Sequence, residues 1–162
     1  DFLLCYASED VFSQLQRDDI ESLQVGVDEL VPVSVSDEAG DTLHQVIAGE
    51  PLKLLSHPPE SFFGRLLARE CLPHLPADVP VHLACENALS EALKALVLNG
   101  YGVAWLPKSL ITRELESGQL VRLEPPLRSL DLSIRLYRLR QPAGSAGDRF
   151  WTYLTELYNA GV

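Results

Sequence analysis

Residues 96–107 read LVLNGYGVAWLP. The tail of an apolar helix meets two glycines around one tyrosine, and an apolar run then closes on Pro107. Glycine just past a helix end takes the left-handed conformation that stops it, so Gly100 reads as the C′ residue of a helix with apolar positions Leu89, Leu93, Leu96 and Val97. Gly102 then lets the backbone turn straight into a strand, VAWL, whose Trp105 belongs in a core. The stretch is a helix-to-strand junction.

Reading upstream, VPVHLAC (79–85) alternates as a strand with Val79, Val81, Leu83 and Cys85 on one side, and Asn87 is placed to cap the next helix. KLLSH is a brief strand ending at Pro58-Pro59, after which Ser61 is a good N-cap for FFGRLLARECL, stopped by Pro73 and Pro76. Residues 36–51 are polar and loop-like, and LQVGVDELVPVSV (23–35) alternates twice around Asp28-Glu29, as a strand interrupted by a turn or bulge does. The opening run Phe2 to Tyr6 has the continuous apolar pattern of a strand buried on both faces.

Downstream lie a helical stretch from Lys108 to Glu116, a short strand LVRL (120–123), and LDLSIRL (130–136), which alternates as a strand with one wet face. A small-residue loop (141–147) leads to a last helix with Phe150, Tyr153, Leu154 and Leu157 on one side. Strands alternating with helices over short connections predict an α/β fold of parallel sheets with helices packed on them.

The 162 residues are 46% hydrophobic and 22% charged, an ordinary globular balance. With 23 acidic against 13 basic residues the formal charge is −10, a field that repels phosphate backbones and anionic lipid, so this chain alone is not expected to bind DNA or membrane. No apolar run approaches the ~20 residues that span a bilayer, and the chain reads as soluble and cytoplasmic. Cys5, Cys71 and Cys85 are odd in number, form no CxxC pair and sit in apolar surroundings, as buried, inert free thiols do. The chain opens inside a strand and contains no methionine, so it is expected to be a fragment of a longer protein.

No catalytic constellation is present: there is no GxSxG, GxxxxGK[ST], HExxH or GxGxxG. His44, His57, His74 and His82 lie at no metal-ligand spacing and are assigned solvent or cap roles, so neither enzyme activity nor a metal or cofactor is expected. Arg135, Arg138 and Arg140 are read as a solvated strand face pairing with carboxylates. Two strand-to-helix junctions stand out. SHPPES brings Ser56, His57, Pro58 and Ser61 to one helix start, and ACENALSE brings Glu86, Asn87, Ala88 and Leu89 to the next. In an open α/β sheet ligands bind outside the carboxyl ends of the strands, where such loops converge. Simple capping is the competing reading of Ser61 and Asn87 taken singly.

From Asn87 to Leu123 the sequence resembles the effector-binding domain of LysR-type transcriptional regulators. The hallmark V-x-x-G-x-G-[IV]-[AG]-x-[LW]-P is supplied by Val97, Gly100, Gly102, Val103, Ala104, Leu106 and Pro107, and E-L-x-x-G-x-L-V by Glu114, Leu115, Gly118, Leu120 and Val121. DFLLCY is similar to the family's internal apolar strand and ELVPVSVSD to its returning strand. SDEAGD, PPESFFGRL and GVAWLP resemble the hypochlorite-responsive branch, in which sensing is attributed to methionine oxidation. That chemistry does not transfer to a chain without methionine. Oxidation of Cys5, Cys71 or Cys85 is the nearest substitute.

The resemblance implies two Rossmann-like lobes as in type 2 periplasmic binding proteins: lobe one from residues 1–36 and 138–162, N-terminally truncated, and lobe two from 37–137. It implies a small-molecule effector or oxidant held between the lobes, a homodimer or homotetramer, and DNA contact only through a winged helix-turn-helix domain that precedes this region. The expected effector contacts are Ala7 and Ser8 after the first strand together with Ser56, His57, Pro58, Ser61, Glu86, Asn87, Ala88 and Leu89. The alternative reading of the same architecture is a solute-binding protein that feeds a transporter.

Overall fold

The computed structural model describes residues 1–7, 15, 17–140 and 144–159. Seven strands and four α-helices follow in the order β1 (Phe2–Ala7), β2 (Ile20–Val35), β3 (Leu52–Ser56), α1 (Phe62–Leu66), β4 (Val81–Glu86), α2 (Ser90–Leu98), β5 (Ala104–Pro107), α3 (Lys108–Glu116), β6 (Leu120–Arg122), β7 (Leu130–Leu139) and α4 (Ala146–Asn159). They form two compact units, Asp1–Val27 with Leu132–Val162, and Asp28–Asp131.

In the larger unit, β2 pairs antiparallel with β5 (Val31↔Leu106) and with β6 (Val33↔Arg122), while β3 and β4 run parallel. A parallel bridge joins Leu54 to Val103 at the start of β5. The expected parallel arrangement therefore holds for β3, β4 and this bridge, and β2 contributes antiparallel neighbours. The core gathers Val31, Val33, Leu55, Leu93, Val97, Ala104, Leu106, Ile111 and Leu120. Each leucine or isoleucine taken from water contributes about 1.5–3 kcal/mol before chain entropy is counted.

The junction LVLNGYGVAWLP is built as read at its first glycine. Helix α2 ends with Asn99 as its C-cap, and Gly100 follows with φ +77°. Gly100 N–H donates to Val97 O (2.9 Å) and Tyr101 N–H to Leu96 O (3.1 Å), the paired closure of a Schellman motif. Gly102 serves a different purpose from the one expected. Val103 N–H donates to Lys53 O and Leu55 N–H to Val103 O, both at 2.8 Å, and a Cβ on Gly102 would stand 2.5 Å from that same Lys53 oxygen. Space beside β3, not turning freedom, demands the glycine. Trp105 is buried as expected, donating Nε1–H to Arg128 O at 2.8 Å.

Several expectations are corrected. β2 is one strand through Asp28-Glu29 with no turn there, and both carboxylates have partners in the same unit. Asp28 accepts from Ser109 N–H (3.1 Å) and Ser109 O–H (2.6 Å) at the start of α3, whose N-cap position is Pro107 and offers no side-chain acceptor. The one-sided pattern Val79, Val81, Leu83, Cys85 does not bury as a face: Val79 is buried, but β4 pairs only with β3 among the described residues and leaves Val81 and Leu83 exposed. The segment after α1 continues as a π-helical turn (Leu67–Cys71) and a 3-10 turn (Leu72–His74) in place of one long α-helix.

In the smaller unit β7 lies between β1 and β2, with Phe2 opposite Arg138 and Cys5 opposite Arg135. β1 is not buried on both faces. It has one strand neighbour among the described residues, and Phe2, Leu3 and Leu4 are exposed. Nor is Arg138 solvated: it is 6% exposed, with Nε 2.7 Å from Glu21 Oε2, Nη2 3.4 Å from Asp148 Oδ1, Nη1 donating to Gly147 O, and its guanidinium carbon 4.6 Å from the Trp151 ring centroid. Arg135 and Arg140 stay at the surface, as read. Helix α4 turns Trp151 inward and leaves Phe150, Tyr153 and Leu157, named above as its apolar side, exposed.

Candidate functional site

The two predicted junctions meet. Parallel pairing places Ser56 opposite Glu86 at the carboxyl ends of β3 and β4, and Asn87 N–H donates to Ser56 O at 3.0 Å. One turn further, His57 Nε2 lies 2.9 Å from Ser90 Oγ, tying the end of β3 to the first residue of α2. His57 is only 4% exposed, so a surface or cap role is corrected to a buried one. Its ring packs 5.0 Å from Phe63, itself 5.3 Å from Phe62. Burial pushes the imidazole below its ordinary pKa, which favours the neutral ring.

Ser61 caps α1 as expected, accepting from Gly64 N–H at 3.1 Å. Its own hydroxyl donates to Pro58 O at 2.7 Å, and that carbonyl also accepts Ser61 N–H. A Cβ on Gly64 would stand 1.9 Å from the same oxygen, so the loop SHPPES folds tightly onto its helix. Ser56 likewise donates its hydroxyl to His57 O at 3.0 Å. Both serine protons are thus committed within the loop.

Asn87 is not the N-cap of α2. That position is Leu89, in extended conformation and without a side-chain cap. Asn87 Oδ1 instead accepts Leu89 N–H at 2.9 Å, closing an Asx turn two residues before the helix. The Leu89 amide is therefore occupied, and Leu89 O accepts from Ala92 and Leu93. Glu86, Ala88 and Leu89 are exposed. Ala7 is buried at the end of β1 in the smaller unit, and Ser8 lies outside the described residues. Sequence reading missed Ser90, because its partner His57 comes from the other junction and no spacing pairs the two.

The expectation of three buried thiols holds for Cys71 alone, Cys5 and Cys85 being half-buried. Cys71 is buried beside Arg128 O, and burial pushes its pKa up to about 12; burial also raises Cys5. Among the described residues no group of His, Cys, Asp and Glu is arranged to hold a metal, and no helix is long and apolar enough to cross a membrane.

Residues 3–159 match the model of the LysR substrate binding domain. The chain is 31% identical over 154 residues to the HTH domain-truncated transcriptional regulator QseD of Escherichia coli O157:H7, and equally to the HTH-type transcriptional regulator YjiE of Escherichia coli K12. These matches take in 93% of the chain but 62% and 50% of the two relatives, so the chain spans roughly half to two thirds of their length. Among solved structures, the apo regulatory domain of HypT from Salmonella typhimurium superposes with a TM-score of 0.83 at 26% identity, covering 99% of this chain and 73% of that one. Full-length HypT, described as a hypochlorite-specific LysR-type transcriptional regulator, gives 0.81 over 99% and 52%. A match that runs almost end to end, on this α/β fold, makes the chain a member of the LysR substrate-binding domain family.

Proposed function

We propose that this chain is the effector-sensing part of a LysR-type transcriptional regulator that acts on DNA in the cytoplasm as a homodimer or homotetramer. The observation that carries the reading is the family match across residues 3–159. DNA contact falls to a helix-turn-helix domain outside these residues, which suits a chain of charge −10. The two compact units serve as its lobes, and an effector acts by binding one arrangement of the protein better than another. A solute-binding protein feeding a transporter, the other reading of this architecture, gains no support from the matched family.

The proposed contacts of the larger unit are Ser56, His57, Pro58, Ser61, Glu86, Asn87, Ala88 and Leu89; Ala7 and Ser8 are the proposed contacts of the smaller unit. The His57–Ser90 and Asn87–Ser56 hydrogen bonds support this choice, because they hold the two junctions at fixed spacing. A small molecule is a better effector than an oxidant here. The chain has no methionine, and the Cys71 thiol is buried and protonated. A thermal-shift screen of small metabolites against this chain tests the reading, since a ligand specific to the folded state raises its melting temperature. Hits that lose their effect in Asn87→Ala support the site; hits indifferent to that change remove it.

A further inference from the structure

The charge and surface of the junction rim narrow what it takes. Segments 56–63 and 86–91 contain three carboxylates, Glu60, Glu86 and Glu91, all exposed, and neither lysine nor arginine. Arg65 lies just beyond and donates to the backbone carbonyl of Glu60. Lys94, the next cation along α2, is 2.6 Å from Glu114 and also donates to Leu110 O. Neither segment thus supplies a lysine or arginine of its own, and the two nearest cations each donate to a carbonyl of the same unit.

The first segment also carries aromatic rings. His57, Phe63 and Phe62 form a ring cluster with centroids 5.0 and 5.3 Å apart, Phe62 and Phe63 are half-buried, and Leu89 is 67% exposed. The serine hydroxyls of the rim donate inward, and the Leu89 amide is occupied by Asn87. An incoming carboxylate or phosphate would find few donors and three like charges. A rim whose exposed charges are all carboxylates, carrying apolar and aromatic side chains on the same segments, suits a cation or a neutral polar group on an apolar body.

The geometry points to an effector that is an organic amine or neutral amide with an apolar body, and not an organic anion. This rests on the effector-site reading above. Three probes of one shape and different charge test it: phenethylamine, phenylacetamide and phenylacetate, each titrated into this chain at neutral pH while its melting temperature is followed. The expected order of stabilisation is amine, then amide, with no response to the acid. Glu91→Gln, at a rim carboxylate outside the proposed contacts, weakens the apparent affinity for the amine about threefold, as does raising the salt, and leaves that for the amide unchanged. A response led by phenylacetate and lost in Asn87→Ala overturns the charge class while the site stands. A response undiminished in Asn87→Ala, or none to any probe, removes the site and the inference with it.

Discussion

Glu29 and Arg122 face each other with both carboxylate oxygens engaged, Nη2 at 2.6 Å from Oε2 and Nη1 at 3.1 Å from Oε1. Lys108 stands 3.6 Å from the same carboxylate, at the start of α3. With Asp28 fixed to Ser109, two adjacent acidic residues of β2 grip the rest of the larger unit, which is why the strand continues where the sequence suggested a turn.

The Arg122 hydrogen bond, outweighing desolvation, holds the Glu29 carboxyl below its ordinary range. A depressed carboxylate stabilises the fold above its unfolded pKa and ceases to do so as pH falls through the folded value. Glu29→Gln therefore costs about 1 kcal/mol at neutral pH, a modest figure because the pair is partly solvated. Urea titrations of the two proteins should converge as the pH falls through the depressed folded-state value of Glu29.

His57 gives a second acid dependence at higher pH. Its imidazole, depressed by burial, favours the folded state above the unfolded pKa of the ring, and protonation on acidification favours unfolding. Ser90→Ala leaves a buried ring nitrogen without its partner and costs about 1–2 kcal/mol. In His57→Gln the loss of stability between neutral pH and mild acid should flatten, read by thermal melts across that window.

Arg138→Ala strips a buried guanidinium from Glu21, Asp148 and Trp151 at once. Removing one partner of such a set costs about 3 kcal/mol, and Arg138→Lys, lacking the planar fork, recovers only part of it. Because the change lies in the smaller unit, near-UV circular dichroism at Trp151 should respond before the larger unit melts.

Gly102→Ala forces a methyl onto the Lys53 carbonyl, whereas Gly100→Ala asks an alanine to hold φ +77° beside the Leu43 side chain. The first should exceed about 2 kcal/mol and the second about 1 kcal/mol. Gly118, with φ +75° and nothing near its missing Cβ, separates the conformational cost from the steric one.

Thiol titration of the native chain with a disulfide reagent should leave Cys71 unmodified until denaturant is added. Its burial and its pKa of about 12 both oppose attack. Rapid labelling of Cys71 in the native state would contradict the placement of this thiol in the core.

The α/β order, the Schellman closure at Gly100, the Ser61 cap and the buried Trp105 were legible because each depends on neighbours within a few residues. What escaped depended on partners far along the chain. Arg138 looked like a surface arginine because Glu21 is 117 positions away, and the strand through Asp28-Glu29 looked broken because Ser109 and Arg122 cannot be paired with it from spacing alone. β1 read as buried on both faces because its residues are apolar, while burial depends on what covers them. At the candidate site the two junctions were placed on one edge, but the His57–Ser90 bond that joins them was not visible. A hydrogen bond between different strand–helix connections leaves no periodic trace.

The oxygen of Lys53 that excludes a side chain from position 102 belongs to the backbone, so the constraint is indifferent to what the rim binds. The twelve residues from Leu96 to Pro107 encode a way of laying a strand against its neighbour, and the ligand is free to change without disturbing it. A mutational library of this chain should show codon 102 nearly empty of survivors beside a permissive codon for the exposed Tyr101, whatever ligand is used in selection.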